Sequence, residues 1–387
     1  MMFTPNWRFS PSGLHIGPAS GQTEKQRSSL ATLSRTLPVE AECYMSEPAQ
    51  IYLHWLFALM DPEINRIDGT FAGTVLMSLE LFEKNWKLLA NDIRHGTLSA
   101  EKVGILSEVA EKIRKGGLLR KDPERAEEIE KQCSKGMQGI VSRLWPRIQL
   151  LSCLTTGAHA IYKERVQWYV GENVQLFSPY YGASEGAFGW NMDIDCENGI
   201  YTLLPTSTFL EFIPESEIAK ENPTTLFIDQ VLPNRRYELV TTNTVGFYRY
   251  RMGDLIEVVK FHNSTPVIKF IGRVGSILDL RGEKTSEDMI LEALNRSVPH
   301  WGNHKLVDYT TSESVSLAKA SGTRTTTGLY YVLFVELDGK PTTLTEEEIK
   351  VFDEHLSEIS YPYKSFRVKE SIAFPQVLFS SQLIEII

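Results

Sequence analysis

A change of pattern near residue 148 constrains the fold more than any other feature of the sequence. The short apolar run IQLLSCLTTG, residues 148–157, ends in small residues and a glycine, as buried strands often do. A helix-like segment at 158–171 and a second strand-like run, VQLFSP at 174–179, follow it. Strand, helix and strand in this order predict a mostly parallel sheet. Ligands bind at the carboxyl ends of such strands, so Thr156 and Gly157 are predicted to lie at a ligand site.

The region before this change, residues 46–145, has apolar residues at helical spacing. Asp122, followed directly by a proline, is typical of a helix start. Two interpretations of this helical layer are open. It could select an acyl substrate through residues such as Trp55, Leu59 and Met60, or it could be a packed layer of the core. The packed layer is favoured, because an apolar stripe on a helix usually faces a core.

The remainder of the chain predicts antiparallel hairpins and then a small α+β domain. After Gly275 the order is strand, helix, strand, strand, helix, strand, and the last strand is predicted over FRVKESIAF, residues 366–374. Thr345 and Glu348 have the spacing of a capping box at the start of the second helix. The sequence therefore predicts an α/β fold with two domains. Residues 1–273 form the large one, with a mostly parallel sheet, a helical layer and antiparallel hairpins, and residues 274–387 form the small α+β one.

Charge and composition argue against several classes of main partner, and leave a local basic cleft as an open alternative. The formal net charge of -9 argues against nucleic acid and anionic membranes, because both require a basic surface. No segment reaches the roughly 20 apolar residues of a membrane span. The four cysteines are widely spaced, without the pattern of a zinc site or a disulfide framework. We expect a cytoplasmic protein with reduced thiols, and a monomer.

The stretch YYGASEG, residues 180–186, is the first candidate for chemistry. An aromatic pair, small residues, a hydroxyl and a carboxylate come together between two strand-like runs. We interpret this stretch as a turn at the end of a strand. In an α/β protein such a turn is a place where a ligand binds.

Two further motifs follow downstream, and each has a structural alternative. Asp254, in YRYRMGDLIEVV, is predicted on a strand-end turn, where a carboxylate can accept both hydroxyls of a ribose. Its alternative is an aspartate that bonds its own backbone in the turn. Arg273 lies between two glycines at the predicted domain boundary and could reach a phosphate or carboxylate. Its alternative is a hairpin arginine that faces solvent.

The order of these three motifs resembles the adenylate-forming superfamily of luciferases and acyl-CoA ligases. It is most similar to the acyl acid amido synthetases of the Gretchen Hagen family. YYGASEG, YRYRMGD and the hairpin FHNSTP at 261–266 carry the resemblance, and LDLRGEK at 278–284 is closer to the animal members than to the plant enzymes. The resemblance covers nearly all of the chain. It implies binding of ATP or AMP with Mg²⁺, formation of an acyl-adenylate from a small carboxylic acid, and attack on it by an amine or amino acid.

The resemblance also implies roles on the nucleotide side. Tyr181 stacks on or flanks the adenine, and Gly182 allows close approach of the backbone. Thr156 and Gly157 lie beside the acyl-adenylate, and Asp254 holds the ribose.

For the reacting groups, the resemblance implies three catalytic residues. Ser184 donates to the phosphate or acyl group, and Glu185 holds Mg²⁺ between the phosphates. Arg273 lies at the hinge about which the small lid domain rotates.

One family feature has no clear counterpart here. The family has a compact Ser/Thr/Gly-rich phosphate loop upstream of these motifs, and the sequence before Tyr181 contains only the interrupted SGLHIGPASGQTEK, residues 12–25. SGTRTTTG, residues 321–328, has the right composition but lies downstream, where a hairpin loop is the better interpretation. The large domain is therefore expected to be incomplete at its N-terminal end. Three functions remain open: an acid–amine ligase, a catalytically degenerate nucleotide- or acyl-binding member of the same fold, and an acyl-CoA ligase-like enzyme.

Overall fold

The structure, a computed structural model, divides into two compact units. The first comprises Met1–Ser184 with Trp190–Gly199, and the second comprises Glu185–Gly189 with Ile200–Ile387. The structure describes residues 8–13, 15–16, 36–38, 41, 46–183, 185–194, 199–274, 278, 280, 283, 285–302, 304–314, 329–339, 345–369 and 371–379.

Helices form most of the first unit. Their bounds are α1 Glu47–Leu59, α2 Ala72–His95, α3 Ala100–Val103, α4 Ser107–Lys115, α5 Pro123–Cys133 and α6 Ile140–Leu144. The start predicted at Asp122 is confirmed, because its carboxylate accepts a hydrogen bond from the Arg125 backbone N–H. Trp55 and Leu59 are buried in the core, and the Trp55 ring stacks on Phe82 with their centroids 4.4 Å apart. For these side chains the packed interpretation of the helical layer is the right one.

A parallel sheet lies in the same unit, as the pattern change near residue 148 predicts. Its strands are β3 Arg66–Phe71, β4 Leu150–Leu154 and β5 Gln175–Phe177, and β4 pairs in parallel with both neighbours. A 3₁₀ helix, Gly157–Tyr162, and α7, Lys163–Val170, connect β4 to β5. The unit also contains a two-stranded antiparallel pair, β1 Arg8–Phe9 and β2 His15–Ile16.

Two cysteines of this unit are unreactive because their thiols are buried. Cys133 and Cys153 are both buried and have free thiols. Burial raises the pKa of each thiol to about 12. Both thiols are therefore protonated at neutral pH, and neither is suited to act as a nucleophile.

An antiparallel sheet forms the first part of the second unit. Its strands are β7 Gly186–Trp190, β8 Ile200–Leu203, β9 Phe209–Pro214, β10 Arg235–Thr242, β11 Tyr250–His262 and β12 Thr265–Arg273. Strand β6, Tyr180–Ala183, precedes them in the chain and belongs to the first unit. Within the unit the spatial order is β7-β8-β12-β11-β10-β9. The pairs β8–β12, β12–β11, β11–β10 and β10–β9 are all antiparallel, which confirms the predicted hairpins.

The last part of the chain has the predicted α+β character, with one correction, and the strand predicted directly after Gly275 lies largely outside the described residues. Its elements are α8 Glu287–Ser297, β13 Leu306–Glu313, β14 Tyr331–Leu337, α9 Glu346–Ile359, α10 Tyr361–Val368 and β15 Gln376–Phe379. The capping box of Thr345 and Glu348 is confirmed, with both of its hydrogen bonds formed. None of the helices in the described ranges is long and apolar enough to cross a membrane.

The prediction of a strand over residues 366–374 is wrong. Most of its first half belongs to helix α10, and β15 begins only at Gln376. The Ser360 hydroxyl caps this helix by accepting from the Tyr363 backbone N–H, and the guanidinium of Arg367 donates to both carboxylate oxygens of Asp353. Contacts with α9 therefore override the strand-like alternation of the local sequence.

One buried carboxylate fixes the end of the longest helix. Asp92 accepts hydrogen bonds from the Tyr52 hydroxyl at 2.8 Å, from the Thr97 hydroxyl at 3.0 Å, and from the Ser99 backbone N–H at 2.8 Å. Burial and the Asp92 charge together raise the pKa of Tyr52 above its ordinary value. The carboxylate thus ties helix α1 to the turn that follows α2.

Asp92→Ala is expected to destabilise the protein by about 3 kcal/mol, because the buried donors lose their acceptor. Urea unfolding followed by circular dichroism measures the change. Glu127→Ala, at an exposed position of α5, is the control and should stay within about 0.5 kcal/mol of wild type. Equal stability of the two variants would contradict the role given to Asp92.

Candidate functional site

The end of strand β4 is tied to the segment after β5 through one hydroxyl group. The Thr155 backbone N–H donates to Ser178 Oγ at 3.1 Å, and Ser178 Oγ donates to the Cys153 carbonyl at 3.1 Å. Ser178 itself is fully buried. The carboxyl ends of strands β4 and β5 are therefore held together, and Thr156 and Gly157 follow the end of β4.

The motif YYGASEG is strand rather than turn over its first half. Residues Tyr180–Ala183 form β6, which corrects the predicted turn. The extended backbone alternates the side chains, so that Tyr181 is buried while Tyr180 is half-buried and stacks on Trp190 with centroids 6.4 Å apart. Gly182 is half-buried in the same strand, and Ser184 lies outside the described residues.

Glu185 is positioned by a side chain that is distant in sequence. Its backbone carbonyl accepts a hydrogen bond from Asn243 Nδ2 at 2.8 Å, and Glu185 itself is half-buried. Both residues belong to the second unit. Sequence reasoning did not identify Asn243, since nothing in the local pattern around it points to Glu185.

Asp254 lies within strand β11, which corrects the predicted strand-end turn. The pairing of β10 with β11 shifts in register between Glu238 and Val240, opposite this position. Gly253, at φ +73°, supplies the left-handed backbone that the irregularity requires. A glycine before an aspartate therefore marks a β-bulge here, with the carboxylate directed into a buried environment.

Asp254 and Arg273, which the sequence analysis treated separately, face each other across β11 and β12. Arg273 Nε donates to Asp254 Oδ1 at 3.0 Å. The aspartate side chain is 3% exposed and the arginine side chain 58% exposed. The pair thus combines a desolvated carboxylate with a guanidinium that reaches solvent.

Two more pairs of the same design were missed by the sequence analysis. Arg249 donates to both oxygens of Glu211 at 3.0 Å, and Arg251 donates to both oxygens of Glu238. The two glutamate side chains are 7% and 3% exposed, while both arginines remain partly exposed. The hydrogen bonds to Glu238 raise the pKa of Arg251 further above its ordinary value. A lone acid within the apolar runs FLEFIP and YELV, with two arginines spaced R-x-R, was the available signal.

A cavity of about 300 Å³ adjoins Arg273 within the second unit. Strand residues with positive and negative charges line this cavity, together with the first turn of helix α8. Arg236 and Lys269 lie on either side of Glu257 in the strand register, and Arg236 Nε donates to Glu257 at 3.3 Å. Burial, together with the charge of Asp288, raises the pKa of Glu287 at the helix start. The lining therefore combines the paired charges of Arg236 and Glu257 with two neighbouring acidic residues, Glu287 and Asp288.

Comparison with protein families matches three consecutive parts of the chain. The GH3 family N-terminal domain matches residues 1–176, the GH3 family central domain residues 201–273, and the GH3 family C-terminal domain residues 288–382.

Curated proteins from animals and plants are similar to this chain. A GH3 domain-containing protein of Mus musculus is 36% identical over 268 residues, which cover 68% of this chain and 49% of that protein. Indole-3-acetic acid-amido synthetase GH3.2 of Arabidopsis thaliana is 32% identical over 330 residues, which cover 81% of this chain and 58% of that protein. The chain spans about half the length of the curated relatives it matches.

A solved structure shares the fold. The GH3.15 acyl acid amido synthetase superposes with a TM-score of 0.79 at 24% identity, over 98% of this chain and 64% of that one. The predicted α/β class, with a large domain and a small α+β domain, is confirmed as a fold class by this likeness.

Arg251→Met is expected to destabilise the protein by about 3 kcal/mol, because Glu238 is left buried without its cation. The double variant Arg251→Met with Glu238→Leu should recover most of that loss, and urea unfolding measures both. Arg147→Met removes an exposed pair with Glu63 and should cost less than about 1 kcal/mol. If the double variant is as unstable as the sum of its single changes, the pair is not the source of the effect.

Proposed function

The chain belongs to the GH3 family, and from that premise we propose that it activates a carboxylic acid with ATP as an acyl-adenylate and then transfers the acyl group to an amine or amino acid. The names of its plant relatives support this proposal, since they are described as amido synthetases that act on indole-3-acetic acid. The reaction is a ligation, in which pyrophosphate leaves when the adenylate forms and AMP leaves when the amine attacks the acyl carbon. We also propose residues 274–387 as a separate small domain after 1–273, and a cytoplasmic, monomeric protein.

The observation that carries the proposal is the environment of Asp254. A carboxylate that is 3% exposed and oriented by Arg273 keeps a fixed direction, as recognition of a nucleoside requires. An ionised carboxylate only accepts hydrogen bonds, so it suits the two adjacent hydroxyls of a ribose. We assign this role to Asp254. Arg273 holds the carboxylate and, with its exposed end, can meet a negative charge of the substrate.

The remaining roles follow the family resemblance. In the first unit, Thr156 and Gly157 adjoin the acyl-adenylate, and Tyr181 flanks the adenine. Gly182 has no side chain and so allows close approach of the backbone. Ser184 donates to a phosphate or acyl oxygen. The protein contributes mainly position and charge to the transfer, rather than covalent chemistry.

Glu185 is the residue that we propose to hold Mg²⁺. Within the described ranges, no group of three or more His, Cys, Asp or Glu side chains is arranged to hold a metal ion. Mg²⁺ commonly binds through one or two carboxylates together with the phosphates of the substrate. A single half-buried glutamate fits an ion that arrives with the nucleotide. Such an ion, when bound, neutralises the phosphate charge.

A second candidate function is nucleotide or acyl binding without turnover. The sequence observation that favours it is the interrupted SGLHIGPASGQTEK, where the family has a compact phosphate loop. Both candidate loops, residues 12–25 and 321–328, lie largely or wholly outside the described residues. Binding of AMP is common to both functions, and turnover separates them.

Asp254→Asn is expected to weaken AMP binding by roughly 10-fold or more, since each hydrogen bond to a charged group contributes about 1.5–3 kcal/mol. Isothermal calorimetry measures the affinity, and wild type should bind AMP more tightly than pyrophosphate. Asp229→Asn, at an exposed position of the same unit, is the matched control. A melting temperature lower by many degrees with unchanged affinity would make Asp254 a structural residue, and binding of pyrophosphate without AMP would overturn the nucleotide assignment.

A further inference from the structure

We propose that Asn243 is a positioning residue for Glu185, which it holds in place for the Mg²⁺-dependent part of nucleotide binding. The inference rests on the proposed function, because it gives Glu185 the role of metal carboxylate. It adds a residue that lies 58 positions away in the sequence from the one it holds.

The orientation of the Asn243 side chain follows from its hydrogen bonds. Its Oδ1 faces two donors, the backbone N–H groups of Val245 and Phe247, each at 3.2 Å. The amide nitrogen is therefore the group that faces the Glu185 carbonyl, at 2.8 Å. The Asn243 backbone N–H also donates to the Phe247 carbonyl at 3.0 Å. One side chain thus builds a loop and ties it to the backbone of Glu185.

The other end of this loop is anchored in the sheet. The Arg249 backbone N–H donates to the Thr242 hydroxyl at 2.9 Å, and Arg249 has a positive φ of 47°, which is uncommon for a residue with a side chain. Its guanidinium then donates to both oxygens of buried Glu211 on β9 and to the Thr225 hydroxyl. Because both ends of the loop are fixed, the Asn243 amide is a rigid support for Glu185.

A fixed backbone at Glu185 matters more for Mg²⁺ than for the nucleoside. Mg²⁺ requires nearly ideal octahedral geometry, so a small shift of a ligand carboxylate weakens its contribution. AMP carries one phosphate and needs no metal ion between phosphates. Loss of the support should therefore affect MgATP and leave AMP binding intact, a difference that a general loss of stability would not produce.

Asn243→Asp separates the two tasks of this side chain. One carboxylate oxygen still accepts from the Val245 and Phe247 N–H groups, whereas the other faces the Glu185 carbonyl and repels it. Calorimetry should find MgATP binding weakened about 10-fold, the size expected for one hydrogen bond lost and replaced by repulsion. AMP binding should stay within about twofold of wild type, because AMP needs no metal ion between phosphates. Hydrogen exchange should be faster in segment 185–189, and protection of the loop amides should be unchanged.

Asn85→Asp is the matched control, since Asn85 Nδ2 also donates to a backbone carbonyl, that of Leu81, at 2.9 Å. It should leave both affinities and the exchange of segment 185–189 unchanged. Wild-type affinity for MgATP and wild-type exchange in Asn243→Asp would overturn the inference, and so would an equal loss of AMP and MgATP binding. If the wild-type protein itself does not bind AMP or MgATP, the proposed function fails, while the exchange measurement still tests the support of Glu185.

Discussion

The antiparallel sheet of the second unit depends on the pairing of buried carboxylates with partly exposed arginines. Glu211, Glu238 and Asp254 are almost completely removed from water, and each accepts hydrogen bonds from an arginine. A carboxylate in such a place is strongly unfavourable without its partner, because the charge loses its hydration. The pairs therefore hold β9, β10, β11 and β12 in register as well as satisfying the charges.

This constraint also explains how the candidate site is supported. The irregularity at Gly253 lets Asp254 reach its partner on β12, while Arg249 completes the loop whose other end is held by Asn243. Through Asn243 the same framework reaches the backbone of Glu185. The two acidic residues to which we give roles, Glu185 and Asp254, are thus each held by a side chain of the second unit, Asn243 for Glu185 and Arg273 for Asp254.

Features that depend on neighbouring residues in the chain could be predicted from the sequence, whereas features that depend on residues distant in the chain could not. The capping box at Thr345 and the helix start at Asp122 are local hydrogen bonds, and both were read correctly. Helix α10 was mistaken for a strand because Asp353, which holds its Arg367, belongs to another helix. The support of Glu185 by Asn243 could not be seen, since only the folded sheet brings those segments together. Likewise, the alignment of strands, rather than their composition, creates the arginine–carboxylate pairs.

The exchange of labelled pyrophosphate into ATP measures adenylate formation, the step on which the proposed function depends. The wild-type protein is expected to catalyse this exchange only when a suitable carboxylic acid from a panel is present, because adenylate formation is reversible and requires the acid. Glu185→Gln, which keeps the shape but removes the charge that would hold Mg²⁺, should abolish exchange while AMP still binds. Exchange that is unaffected by Glu185→Gln would contradict the role of that carboxylate. AMP binding without exchange for any acid of the panel would contradict the ligase assignment and favour binding without turnover.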